Sequence, residues 1–366
     1  MRRERLSGWR RELVVGCGAM LLIAAVCIPG VATAGTICDD PSQGTEAVKL
    51  LCGGIDRQDR GDVDGSIADF KRALELQPDL TEAHMMLGIG YYDRKEYARA
   101  LVEYDKYLAV IRGNYHAWSN RAALFLHMGN LVAARADIER ALVINPRDLE
   151  LLENRIVIAR EAGDWLTVIG DCTWLLDHYL AKATWLLDRG RALGHESRFT
   201  ESLVDLQRAV DLSPTAGAYL SLGETRFFLK QYGAAAEDFT RVLGINPNIA
   251  AAYLRRCKTR YELQQFREGL PDCDEWVKRR PGDYDGYYTR GILRSRAGDQ
   301  DGALADYRRA IELAKTARES ANAWYGVGLA NERAKRIADA REAYSRTLEI
   351  DSEYRLAKQA LTRISK

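Results

Sequence analysis

Ile67-Ala68-Asp69-Phe70-Lys71-Arg72-Ala73-Leu74-Glu75-Leu76-Gln77-Pro78 is the phrase on which the reading of this chain turns, because it returns with small changes at 134–146, 202–214, 235–247 and 303–313. Aligned on the prolines and on the small residue of the segment before each echo, the units start at 47, 81, 115, 149, 183, 216, 250, 284 and 321. Their spacing is 34 residues, with one interval of 33 and a last one of 37. A fixed period of this length is the mark of a repeat array in which each unit is a helix pair too small to bury its own apolar face. Nine such units account for 47–354.

Within a unit the positions have separate physical jobs. Gly54, Gly88, Ala122, Gly190, Gly223, Gly291 and Gly328 stand at position 8, in mid-helix, where glycine costs about 1 kcal/mol relative to alanine unless something compensates. Close approach of the second helix is that compensation, since Phe70, Tyr104, Phe239, Tyr307 or Tyr344 follows sixteen residues later with a ring to pack. Pro78, Pro146, Pro214, Pro247 and Pro281 then stop the second helix, because proline has no amide to continue it. Gly129-Asn130, Gly163-Asp164 and Gly298-Asp299 make the turn between the two helices of a unit.

A small residue at position 8, alanine near 20, an aromatic at 24 and proline near 32 resemble the tetratricopeptide repeat. The resemblance covers 47–354 and implies an all-α fold, a right-handed superhelical solenoid of antiparallel helix pairs with a concave side. Residues 355–366, with Leu356, Ala360, Leu361 and Ile364 at helical spacing, read as a capping helix. Three places depart from the pattern. The unit at 149 has Ile156 and Cys172 at positions 8 and 24, the unit at 250 has Cys257 and Cys273 there, and the polar insertion 315–320 reads as a longer loop or an extension of the helix before it.

Ahead of the array lies a segment of different character. Arg2, Arg3, Arg5, Arg10 and Arg11 precede an uncharged run from Leu13 to Ile28, then Pro29-Gly30 and Ala32-Thr33-Ala34. Basic flank, apolar core and small-x-small end are the layout of a signal peptide over 1–34, and the apolar run of about 16 residues is short of the ~20 that span a bilayer. The alternative is an uncleaved signal anchor; in both cases the arginines stay inside and the repeats go out. The expected compartment is the periplasm, and 35–46 is a lead-in to the array. Charge fits no polyanion partner: 53 basic and 52 acidic side chains give +1, and without 1–34 the balance is −2. Nucleic acid is not an expected partner, and a membrane is one only if the first segment is retained.

An exported chain permits disulfides. Cys257 and Cys273 occupy facing positions where the two helices of one unit come closest, and Cys38 and Cys52 could staple the lead-in to the first helix. The other reading is buried free thiols. Catalytic signatures are missing: His84, His116, His127, His178 and His195 form no HExxH or other metal-ligand spacing, and no phosphate-binding glycine loop or nucleophile elbow follows a strand. The expectation is no enzyme, no cofactor and no metal.

Arginine recurs at position 7 (121, 155, 189, 256, 290) and a carboxylate at position 23 (69, 103, 137, 171, 205, 238, 272, 306). Matched opposite charges at fixed positions read as packing partners rather than as an anion-binding ladder. Partner recognition is expected elsewhere, on the first-helix positions 2, 5, 6, 9 and 12 that the resemblance places along the groove. These supply Met85 and Tyr92 near the start, with Leu51, Ile55 and Ile89; Asn120 and Asn154 in the middle, with Ser119 and Glu153; and Arg255, Lys258, Tyr288 and Tyr325 later. Asn120 and Asn154 match the asparagine that some members of the family use to bond a ligand's backbone. No three successive units carry together the lysine, asparagine and arginine with which cytosolic cochaperones clamp a chaperone's C-terminal carboxylates. The expected function is an exported scaffold holding a protein or peptide partner of the envelope in its groove; the alternatives are a homo-oligomeric structural module and an accessory subunit of an envelope enzyme.

Overall fold

The computed structural model describes Cys38 and residues 44–365; the expectations for the signal segment 1–34 lie outside the described residues. All regular structure among the described residues is α-helix, in nineteen helices. The chain divides into two compact units, Met1–Pro146 and Arg147–Lys366.

The first unit contains three helix pairs: α1 (Glu46–Asp59) with α2 (Val63–Leu76), α3 (Thr81–Asp93) with α4 (Tyr97–Val110), and α5 (Tyr115–His127) with α6 (Leu131–Ile144). Each helix packs on the next along the chain. Its core joins Leu51, Phe70, Met86, Tyr104, Tyr107 and Leu124 into one cluster. Cys38 and Cys52 are joined as a disulfide with their Cα atoms 5.6 Å apart.

The second unit contains six pairs and a last helix. They are α7 (Leu149–Ala162) with α8 (Trp165–His178), α9 (Ala183–His195) with α10 (Phe199–Leu212), and α11 (Ala216–Phe228) with α12 (Tyr232–Ile245). There follow α13 (Ala250–Glu262) with α14 (Phe266–Arg279), α15 (Tyr284–Ala297) with α16 (Gln300–Leu313), α17 (Ala317–Arg333) with α18 (Ile337–Ile350), and α19 (Arg355–Ile364). Second helices stop two residues before Pro78, Pro146, Pro214, Pro247 and Pro281.

The contact inferred for positions 8 and 24 is the one that joins each pair. A Cβ added to Gly88 would lie 2.8 Å from the Tyr104 ring, and one added to Gly291 would lie 2.9 Å from the Tyr307 ring. Only a residue without a side chain lets these rings lie flat on the first helix. Where the glycine is missing, the volume is redistributed: Ile156 faces the position of Cys172 in α7/α8, both buried, while Cys257 and Cys273 in α13/α14 form a disulfide with Cα atoms 5.7 Å apart.

Two expectations need correction. The insertion 315–320 extends neither a loop nor the helix before it: α16 stops at Leu313, and α17 begins at Ala317 and runs for 17 residues instead of 13 or 14. The reason is local, because Thr316 accepts from the Glu319 amide while the Glu319 carboxylate accepts from the Thr316 amide, a capping box that starts the helix early. In α19 Leu356 is exposed; the packed face is Ala357, Ala360, Leu361 and Ile364.

Candidate partner-binding face

The charges at positions 7 and 23 are committed inside the helix pairs. Arg189 Nε and Nη2 donate to the two Asp205 carboxylate oxygens at 2.7 and 2.8 Å, and Arg155–Asp171, Arg256–Asp272, Arg290–Asp306 and Arg121–Asp137 repeat the same fork. The third arginine nitrogen reaches the second helix of the preceding pair: Arg189 to Thr173 Oγ1 at 3.2 Å, Arg256 to Thr240 Oγ1 at 2.9 Å, Arg290 to Asp274 at 2.8 Å. One residue thus ties its own pair and stitches it to the previous one. In α11 position 7 is the buried Leu222, and Asp238 is held instead by Arg226 Nη1 at 2.8 and 2.9 Å. Burial pushes the Asp238 carboxyl up to about 6, against the pull of Arg226.

The expected groove residues fall into three groups. Met85 is 7% exposed and belongs to the core of the first unit, as does Leu51, so neither offers area to a partner. Tyr92 is partly buried in a three-ring cluster, its centroid 5.8 Å from Tyr97 and 5.4 Å from His127; burial raises its hydroxyl above the usual tyrosine range. Asn120 on α5 and Asn154 on α7 are partly buried and belong to different units.

The basic pair is neutralised. Arg255 Nε donates to Glu224 Oε1 at 2.8 Å, and Lys258 Nζ to Asp285 Oδ2 at 2.8 Å. Both are bonds between successive first helices, from positions 6 and 9 to positions 9 and 2. A side chain used to join α11, α13 and α15 has little charge left for a partner. Burial raises Glu224 above the ordinary carboxylate range and Arg255 pulls it back.

The tyrosines keep their chemistry. Tyr284 donates its hydroxyl to the Glu319 carbonyl and Tyr354 to Asn322 Oδ1, both at 2.9 Å. Among the described residues no hydrogen bond engages the hydroxyls of Tyr261 on α13, Tyr288 on α15 or Tyr325 on α17. Tyr288 stacks on Tyr284 with centroids 5.4 Å apart, and Tyr325 lies 5.2 Å from Tyr354. The Tyr288 hydroxyl is raised first by burial and then by the phenols of Tyr354, Tyr261 and Tyr325. Three successive first helices thus present partly buried aromatic rings with free polar tips, the amphipathic surface that anchors protein partners.

Sequence reasoning missed Tyr261 and a further set on α9 and α11: Arg191, Ser221 and Glu224. A signal exists for all four, since they sit at the groove positions 12, 9, 6 and 9 of their units. Among the described residues no three His, Cys, Asp or Glu side chains stand together as metal ligands, and no helix is long and apolar enough to cross a membrane.

Comparison with known proteins agrees with this anatomy. Tetratricopeptide repeat family models match residues 53–112, 216–249 and 288–355. Hsp70-Hsp90 organizing protein 3 of Arabidopsis thaliana is 23% identical over 228 residues, which is 60% of this chain and 40% of that protein. Heat shock protein STI1 of Saccharomyces cerevisiae is 34% identical over 104 residues, 28% of this chain and 18% of that protein. The chain therefore spans less than half the length of these curated relatives. A solved tetratricopeptide repeat protein from Parabacteroides merdae aligns over 69% of this chain and 99% of its own with a TM-score of 0.49 and 19% identity. Tetratricopeptide repeat models thus match the helix pairs within 53–112, 216–249 and 288–355, and the pairs between them share the same all-helical packing.

Proposed function

We propose that the chain is a non-enzymatic adaptor that binds an extended or helical segment of a partner protein along the first helices of its second unit. The observation that carries this reading is the set of tyrosine hydroxyls at 261, 288 and 325, unbonded on three successive first helices while Tyr284, Tyr354, Arg255 and Lys258 beside them are internally bonded. A preformed row of rings lowers the ordering cost of binding, and phenols can bond the backbone of any peptide. Selection of peptides from a random dodecapeptide library on the full-length chain tests it. Peptides bound by the wild type should bind the Tyr261→Phe, Tyr288→Phe, Tyr325→Phe variant at least tenfold more weakly, because three bonding groups are lost with no change of shape. Equal binding by the variant would move the site elsewhere.

We also read the chain as exported, with its partner in the cell envelope. Two supports bear on this: the basic-then-uncharged run of residues 2–28, and the joining of both cysteine pairs, which an oxidising compartment allows. Mass spectrometry of the protein from cells should find Gly35 as the first residue; Met1 on a free cytoplasmic form would end this reading.

A further inference from the structure

On α9, Arg191 departs from the other charges of these helices. Its Nε donates to Ser221 Oγ at 2.9 Å and its Nη2 to the Gly217 carbonyl at 3.3 Å, both on α11. Both acceptors are neutral. Among the described residues Arg191 has no carboxylate in ion-pair contact, although two lie in its field: Asp188 is bonded to Arg160 at 3.1 Å and Glu224 to Arg255 at 2.8 Å. The guanidinium is largely covered, and burial draws it below the usual arginine range, helped by the charge of Arg160. A covered cation without a counter-ion is unfavourable unless a further group arrives to neutralise it.

The surroundings hold the guanidinium in place. Ser221 Oγ also donates to the Gly217 carbonyl at 3.1 Å, so one serine and one carbonyl fix the Nε side of the fork. Gly217 leaves room for it, since a Cβ there would lie 3.3 Å from Nη2. The bonds made use Nε–H and one Nη2–H. What remains is the end of the group, Nη1 and the second Nη2 hydrogen, the second of the two guanidinium edges that can grip a carboxylate with two parallel bonds.

We propose that Arg191 is the specificity point for an acidic residue of the bound segment, an Asp or Glu side chain taken end-on by the free edge of its guanidinium. The site rests on the adaptor reading above and deepens it: the tyrosines of α13, α15 and α17 hold the segment, and Arg191 two first helices before α13 reads one charge in it. Ser221 and Gly217 are positioning residues for that arginine.

The test uses the same random dodecapeptide library on the full-length wild type and on Arg191→Gln. Peptides selected by the wild type should be enriched in Asp or Glu at one position, and changing that residue to Gln or Asn should weaken wild-type binding about tenfold. Arg191→Gln should select peptides without the enrichment and should bind the Glu and Gln forms within about twofold of each other. Its melting temperature should equal or exceed that of the wild type, because a desolvated charge has been removed. Absence of acidic enrichment on the wild type, or its persistence on Arg191→Gln, overturns the proposal. If the wild type selects peptides that the triple Tyr→Phe variant loses but no acidic preference is found, the adaptor reading stands and this inference falls. If the wild type selects no peptide, both fall.

Discussion

At position 7 of the repeat an arginine fork meets a buried carboxylate, and the energetics of that contact depend on both members. The Asp205 side chain is 4% exposed and Arg189 supplies its ion pair, so removing the arginine alone strands a charge in the interior. We expect Arg189→Met and Asp205→Leu each to destabilise by about 3–5 kcal/mol, while the double variant lies near the wild type, because an apolar pair replaces a buried ion pair at little net change. Denaturant melts of the three variants check this, and additive losses would show that Arg189 and Asp205 are not energetically coupled. Leu222 with Asp238 is a natural half-step in that direction. The folded-state value of Asp238, about 6, is raised above that of an unfolded aspartate near 4, so the native state binds more protons between these values. Stability therefore falls as pH rises from about 4 through 6, and Asp238→Asn should flatten that part of the pH–stability curve. A wild-type curve that instead rises through this window more steeply than that of Asp238→Asn would reverse the sign.

Each helix pair is joined by a turn whose geometry is more regular than its sequence. The residue at position 15 is left-handed in all nine pairs: glycine at 61, 129, 163 and 298, but Lys95, Ser197, Lys230, Gln264 and Lys335 in the others, with φ near +60°. A side chain in that region is strained by roughly 1 kcal/mol, part of which glycine recovers against its own larger unfolded-state entropy. Lys335→Gly should therefore stabilise by about 0.5 kcal/mol and Gly129→Ala should destabilise by about 1 kcal/mol, read as shifts in the melting midpoint; a loss in the first case would mean that the lysine side chain supports the turn. This turn also marks where sequence reading succeeds and stops. Gly129-Asn130, Gly163-Asp164 and Gly298-Asp299 announce it by composition, whereas Lys95 and Gln264 adopt the same conformation, with the same backbone bonds back to the first helix, without a residue type that signals it. The contact of positions 8 and 24 and the arginine fork were legible because they recur at fixed spacing. The early start of α17 was missed although its signal is in the sequence, since Thr316-Ala317-Arg318-Glu319 is the capping-box pattern that opens a helix.

Across the molecule, what a residue does depends on the helix beside it, and this is why the binding face was only partly legible. Arg255 and Lys258 looked available by position, yet Glu224 and Asp285 on the adjacent first helices neutralise them; Met85 looked exposed, yet it closes the core under α3. Tyr288 and Tyr325 differ only in that, among the described residues, no group on a neighbouring helix bonds their hydroxyls. The same nearest-neighbour logic governs stability, since within each unit a helix packs chiefly on those before and after it. The disulfide of α13/α14 stands where other pairs have a ring on a glycine, and closing a 16-residue separation contributes about 3 kcal/mol. Cys257→Ala with Cys273→Ala removes that link and also leaves a gap, without touching Cys38–Cys52 as a reductant would. Hydrogen exchange should then accelerate most in α13 and α14, less in α12 and α15 that pack on them, and least in α1–α6. If protection falls equally in every helix, the chain opens as one cooperative body, and the repeat description of its energetics fails even though the description of its architecture holds.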